Sequence, residues 1–182
     1  MFQLLRTGPE DLVSRPGHVP QGAVCEALLS HYDWVPTVLD YLSLGGVQPA
    51  GLPGRSFAPL LRGKSFEERD HVVVYDEYGP TRMIRTREWK YVHRYPFGPH
   101  ELYDLGDDPE ETTNLADDPA RAAARERLRG ELERWFVRYA DPARDGSREA
   151  VTGRGQMGLV GPAANGRERF GQDVVYLRDV EE

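Results

Sequence analysis

The spacing of apolar positions changes character several times along the chain, and each change predicts an element. Residues 1–22 are rich in Gly and Pro. In "RPGHVPQG", Pro16 and Pro20 hold their neighbours out of helical geometry, which predicts an extended or turning lead-in. Residues 23–29 then read as a short buried strand. Asp33 reads as the N-cap of a helix carrying Trp34, Val35, Val38, Leu39 and Leu42 on one stripe. Pro36 falls in the first turn, where its missing N–H costs little, and Gly45-Gly46 ends the helix. "LPGRSFAPLLRGKS" is a proline-punctuated connection with a short helical turn at Ala58–Leu61.

From His71 onward the pattern is that of strands. "HVVVYDEYG", "TRMIRTREWKYVHRY" and "ELYDL" are strand-rich runs, and the middle one folds back about Thr86-Arg87-Glu88. This predicts an antiparallel sheet of about four strands. Asp118-Pro119 starts a helix that places Leu128, Leu132, Trp135, Phe136 and Tyr139 on one face, which must lie on the sheet. Arg121, Arg125, Glu126, Arg129 and Glu133 form its solvated face. Residues 141–172 turn to Gly, Arg, Ala and Ser and read as an extended arm, with "DVVYLRD" able to form one more strand. The fold class is therefore α+β, a small antiparallel sheet with a packed C-terminal helix.

Composition limits the functions this fold can serve. A chain of 182 residues, 39% hydrophobic and 29% charged, suits one globular domain of ordinary core size. No run approaches the roughly 18 apolar residues of a membrane span, and residues 1–6 lack the form of a secretory signal, so the sequence reads as soluble and cytoplasmic, with no membrane partner. A net charge of -7, with arginines interspersed among acids, argues against nucleic acid. Cys25 is the single cysteine, which excludes an internal disulfide and a cysteine-rich metal cluster.

Four constellations could carry chemistry. "GRGQMG" at residues 153–158 satisfies G-x-G-x-x-G, but no apolar strand precedes it and Gly161-Pro162 stops any helix after it, so the nucleotide reading fails. His93, His100 and Asp104 could converge as metal ligands across a turn, although two histidines around a loop are more often surface or hydrogen-bonding residues. The acidic run that begins at Asp104 holds Pro109 and Leu115 where a calcium loop needs glycine and glutamate, so it reads as a turn joining sheet to helix. Cys25 sits in "AVCEALL", whose apolar neighbours and adjacent acid favour the thiol and a buried packing role.

The order of segments adds what the residues alone do not supply. "SHYDWVPTVLD" followed by "PGRSFAPLLRG", then "RMIRTREWKY", "ELYDL", Asp108-Pro109-Glu110-Glu111 and Asn114-Leu115, resembles the C-terminal part of the sulfatase family, over about residues 15–140. The resemblance implies that residues 1–66 are the remnant, strand plus helix, of an alkaline-phosphatase-like α/β catalytic domain. Residues 67–140 would be the four-stranded sheet-and-helix subdomain, and 141–182 a Gly-rich arm. It also implies a parent that is a sulfuric ester hydrolase, cleaving sulfate esters or sulfamates with a formylglycine and a divalent cation, usually calcium. The formylglycine motif Cys/Ser-x-Pro-x-Arg is absent: Cys25 is followed by Glu26-Ala27-Leu28-Leu29, and Ser14-Arg15-Pro16-Gly17-His18 has His18 where Arg is needed.

The expectation is a sulfatase fragment with no catalytic residue, metal site or cofactor of its own. Its partners would be a sulfated small molecule or sugar for the parent, and a separate N-terminal sulfatase fragment. The loop "HRYPFGPHE" lies between strands that in the family face the catalytic cleft, so His93, Arg94 and His100 are the candidates for lining a substrate pocket. The alternative is a free-standing binding or assembly module without enzymatic activity.

Overall fold

In the computed structural model, residues 3–6, 11–14, 17–20, 22, 24–44, 51–75, 80–147 and 158–167 are described, and they fall into two units, Met1–Val72 and Val73–Glu182. Gly45-Gly46, "DVVYLRD" and all of "GRGQMG" except Gly158 lie outside the described residues. None of the described helices is long and apolar enough to cross a membrane.

The first unit departs from expectation at its start. Strand β1 (Gln3–Arg6) pairs antiparallel with β2 (Asp11–Ser14), with Leu4 opposite Val13 and Leu5 opposite Leu12, where only an extended lead-in was expected. Two apolar residues per strand are too short a pattern to announce a strand. Residues 24–30 form no strand. A strand needs a hydrogen-bonding neighbour, and here the Leu28 N–H donates instead to the Glu68 carboxylate, at 3.0 Å. Val24 is 88% exposed and Cys25 is also exposed, which corrects its expected burial.

Helix α1 (Trp34–Tyr41) starts at the residue the sequence predicts, but a 3-10 turn leads into it. Ser30, in extended geometry, is the cap of a single 3-10 turn, His31–Asp33, and Asp33 already has helical dihedrals. Asp33 closes that turn from inside, its Oδ2 accepting the Ser30 N–H at 2.8 Å. The helix stops at Tyr41, with Ser43 at φ 62°, before the glycines are reached. Its buried side chains are Pro36 and Thr37. Of the expected stripe, Trp34, Val38 and Leu39 are half-buried and Val35 and Leu42 exposed. Thr37 explains the rotation: its hydroxyl donates to the Asp33 carbonyl at 2.6 Å and accepts the Phe57 N–H at 2.9 Å, just before helix α2 (Ala58–Leu61). Asp33 also accepts the Arg55 N–H at 2.8 Å and pairs with the buried Arg69 guanidinium, which lies over the Tyr32 ring.

The second unit is built on the sheet β3 (Val72–Tyr75), β4 (Thr81–Arg85), β5 (Trp89–Arg94) and β6 (Glu101–Asp104), in that spatial order. The β4–β5 hairpin turns at Thr86-Arg87-Glu88 as expected. The Thr86 N–H donates to the Trp89 carbonyl at 2.8 Å, and its hydroxyl accepts the Trp89 N–H at 2.9 Å. Asp118 caps the helical start, accepting the Ala120 N–H at 2.9 Å ahead of a 3-10 turn and helix α3 (Ala122–Tyr139). Leu128, Leu132, Trp135 and Phe136 bury that helix's apolar face, and Val73, Ile84, Tyr91 and Leu102 are buried in the sheet. Residues 141–147 and 158–167 are not the extended arm that their Gly-rich composition predicts. Two 3-10 turns, Pro142–Arg144 and Gly161–Ala164, pack on each other, and Val160 and Ala164 are buried.

Candidate functional site

Strand register decides which side chains meet. Ile84 lies opposite Tyr91, and Tyr91 opposite Leu102, forming one buried row across three strands. Two residues along, on the same face because side chains alternate with period 2, Arg82 lies opposite His93. Extended by one position, the β5–β6 register sets His100 beside His93. Their imidazoles stack at 4.3 Å with an interplanar angle of 18°, and Tyr95 meets His93 edge-on at 4.4 Å.

Each histidine is held through Nδ1. The Tyr91 hydroxyl is 2.8 Å from His93 Nδ1, and the Arg94 N–H donates to His100 Nδ1 at 3.3 Å. The Arg94 guanidinium pairs with Glu101 at 2.7 Å and donates to the Pro99 carbonyl at 2.9 Å. The Tyr95 N–H donates to Pro80 and the Gly98 N–H to Arg94, which folds residues 94–100 into a tight loop with Phe97 exposed at its tip. Behind the pair, Arg82 lies over the Phe136 ring at 3.6 Å and the Tyr95 ring at 4.9 Å, and meets Asp145 at 2.6 Å.

The electrostatics follow from burial. Desolvation, then the neighbouring His100 and Arg129, pushes His93 down to about 4, and burial raises Tyr91 to about 12. Burial, with Arg129 and Arg125, also holds His100 below the ordinary histidine value. Burial would raise Asp145, but its bonds to Arg82 and Ser147 outweigh that and keep it low. The site at neutral pH is thus two uncharged imidazoles on an arginine-lined sheet face. Sequence reasoning found His93, Arg94 and His100 but missed Tyr91, Arg82 and Asp145. Period 2 along "RMI" and "YVH" would have placed the first two of these on the histidine face.

The structure does not join Asp104 to the histidines. Its carboxylate accepts the Gly106 N–H at 3.3 Å and faces Arg121 at 3.7 Å. Near-parallel stacked rings cannot both aim a lone pair at one ion. Among the described residues no cluster of three or more His, Cys, Asp or Glu could hold a metal. The acidic run instead folds on its own backbone. Asp108 accepts the N–H groups of Thr112, at 3.1 Å, and Thr113, at 2.8 Å, which hold its carboxyl below the usual range. Glu111, at φ 57°, pairs with Lys90. Asn114 ties the run to the sheet: its Oδ1 accepts the Leu102 and Ala116 N–H groups, both at 3.0 Å, and its Nδ2 donates to the His100 carbonyl.

Most of the chain matches one known family. The family described as N-sulphoglucosamine sulphohydrolase, C-terminal, matches residues 8–137. The chain is 34% identical to the Delta 4,5-hexuronate-2-O-sulfatase of Bacteroides thetaiotaomicron, over 71% of its own length and 28% of the relative's. It is 30% identical to the human N-sulphoglucosamine sulphohydrolase, over 72% of its own length and 37% of the relative's. Among solved structures, one in complex with its substrate D-glucosamine-2-N,6-O-disulfate superposes with a TM-score of 0.61 at 26% identity, covering 77% of this chain and 30% of that one. This chain belongs to the C-terminal sulfatase family. It spans about a third of the length of the curated relatives it matches.

Proposed function

We propose that this chain is the C-terminal portion of a sulfatase whose whole form hydrolyses sulfate esters or sulfamates of sugars. The observation that carries the reading is the family match over residues 8–137, together with relatives whose names specify sulfated sugars. In this reading residues 1–66 close the α/β catalytic domain, 67–140 form the sheet-and-helix subdomain, and 141–182 follow it as a C-terminal segment. His100 and Arg94, both half-exposed, would line the substrate pocket, with the buried His93 packed behind them. Imidazole N–H and guanidinium groups suit anionic sugars.

The chain's own residues do not fit the nucleophile that the family uses. Cys25 lacks the Pro and Arg of the formylglycine motif. In this reading calcium and formylglycine belong to the remainder of the sulfatase, whether that remainder is joined to these residues or carried on a separate N-terminal polypeptide. The purified chain is expected to show no turnover of aryl sulfates with or without calcium. Turnover abolished by Cys25→Ala would overturn that expectation. In a whole enzyme carrying this segment, Arg94→Ala and His100→Ala should raise KM severalfold, and unchanged kinetics would remove the loop from the pocket.

A further inference from the structure

We propose that residues 94–100 form an acid-sensitive latch, closed by neutral His100 on the Arg94 main-chain N–H and loosened when His100 takes up a proton. The inference goes beyond the sulfatase reading and does not rest on it. It begins with the direction of one hydrogen bond. A main-chain N–H can only donate, so His100 Nδ1, 3.3 Å from the Arg94 nitrogen, presents a lone pair and the ring's single proton sits on Nε2. A second proton would place an N–H on Nδ1, facing the Arg94 N–H. Two donors then oppose each other, and the bond that spans the loop is lost. His93 differs, because the Tyr91 hydroxyl beside its Nδ1 can rotate from donor to acceptor. The switch is therefore His100.

The surroundings oppose an imidazolium at this place. His93 of β5 stacks on the ring, and Tyr91 and Tyr95 flank the pair. Arg82 of β4, Arg94 of β5, and Arg125 and Arg129 of α3 supply positive charge around the two rings. Asp117, Glu133 of α3 and Glu101 of β6 supply negative charge. Glu101 is already engaged by Arg94, and Glu133 by Arg129 at 2.9 Å, so neither is free to compensate a new cation. Burial is the largest influence, ahead of the arginines, and keeps His100 below the ordinary histidine value.

Movement of His100 has a direct route to the loop tip. Gly98 has φ +95°, and a Cβ there would sit 2.9 Å from the His100 main-chain nitrogen and 3.6 Å from its ring carbons, so the two residues are in close approach, one position from the exposed Phe97. The Gly98 N–H bond to Arg94 and the Arg94 bond to Pro99 do not involve the imidazole. Protonation should therefore loosen the loop without melting the sheet.

The test uses the 182-residue chain itself. Histidine ring titration by NMR is followed alongside amide hydrogen exchange between pH 7.5 and 4.5. The expected result is a His100 midpoint below 6.5, with the Arg94 amide exchanging at least about tenfold faster, relative to its intrinsic rate, through that same midpoint while Leu128 and Leu132 stay protected. A His100 midpoint at or above 6.5 would overturn the latch. So would an Arg94 amide indifferent to the transition, or helix α3 losing protection with it. His100→Asn keeps an acceptor where Nδ1 stands but cannot titrate. Its loop should stay protected at every pH, and pH-dependent exchange surviving in that variant would also overturn the proposal. If His100→Asn does not fold, coincidence of the two wild-type midpoints decides.

Discussion

A Cβ built on Gly54 would lie 2.0 Å from the Tyr32 carbonyl oxygen, a contact no side chain can relieve because backbone stands on both sides. Gly54→Ala should therefore cost about 1–3 kcal/mol or more, read as a lower urea midpoint at unchanged slope. Asn114 is the polar counterpart. Asn114→Ala leaves the Leu102 and Ala116 N–H groups without their acceptor and should cost about 1–3 kcal/mol in the same measurement, whereas Asn114→Asp keeps the acceptor and should cost less. His93 sets a pH dependence. Its folded value of about 4 lies below the roughly 6.5 of an unfolded chain, so the unfolded state binds the proton first. Its contribution is whole above pH 6.5 and is lost as pH falls toward 4. Urea midpoints between pH 7.5 and 5 should fall, and His93→Phe should flatten that fall.

At the scale of elements, helix α3 on the sheet is the contact most open to test. Trp135 is buried and its ring meets Tyr75, Phe136 and Tyr139 at 5.1–5.4 Å. Trp135→Ala should cost about 3–5 kcal/mol. Asp104→Asn and Glu110→Gln should each cost under about 1 kcal/mol, with no effect of calcium on any of the three midpoints. This helix, the four strands and the Thr86 hairpin were legible in the sequence because long periodic runs, a capping Asp-Pro and a turn threonine all agree on them. The histidine pair was legible only as candidates. Two residues seven apart become neighbours when the β5–β6 register is known, and register is a long-range property that "HRYPFGPHE" does not state. The rotation of α1 was hidden for a related reason. Thr37, a polar residue, faces inward because its hydroxyl has two backbone partners, one of them 20 residues away. Hydrophobic spacing alone therefore gives no sign that Thr37 is the buried position.

At the scale of the whole molecule, the first unit leaves apolar side chains uncovered: Val24, Val35, Leu42, Leu44 and Leu52 are each about half exposed or more. In the proposed sulfatase these residues would meet the remainder of the catalytic domain. The chain alone is therefore expected to bind a hydrophobic dye and to self-associate as its concentration rises. Sedimentation velocity checks this, and Val35→Glu with Leu42→Glu should return it toward a monomer. A monodisperse, cooperatively unfolding wild type would favour the free-standing binding module instead.

The side chain of Asn114 has a consequence outside the energetics of its own turn. Strand β6 is the last strand of the sheet, and such a border offers its unpaired main-chain groups to any other extended polypeptide. Here the Leu102 N–H is taken by Asn114 and the Leu102 carbonyl by the Leu115 N–H at 2.8 Å, so the connector to α3 fills the place a foreign strand would occupy. Asn114→Ala would uncover that place in a molecule still largely folded. By filling that place, the connector leaves Leu102 closed to pairing with another extended chain, so the turn that leads into α3 also finishes the border of the sheet.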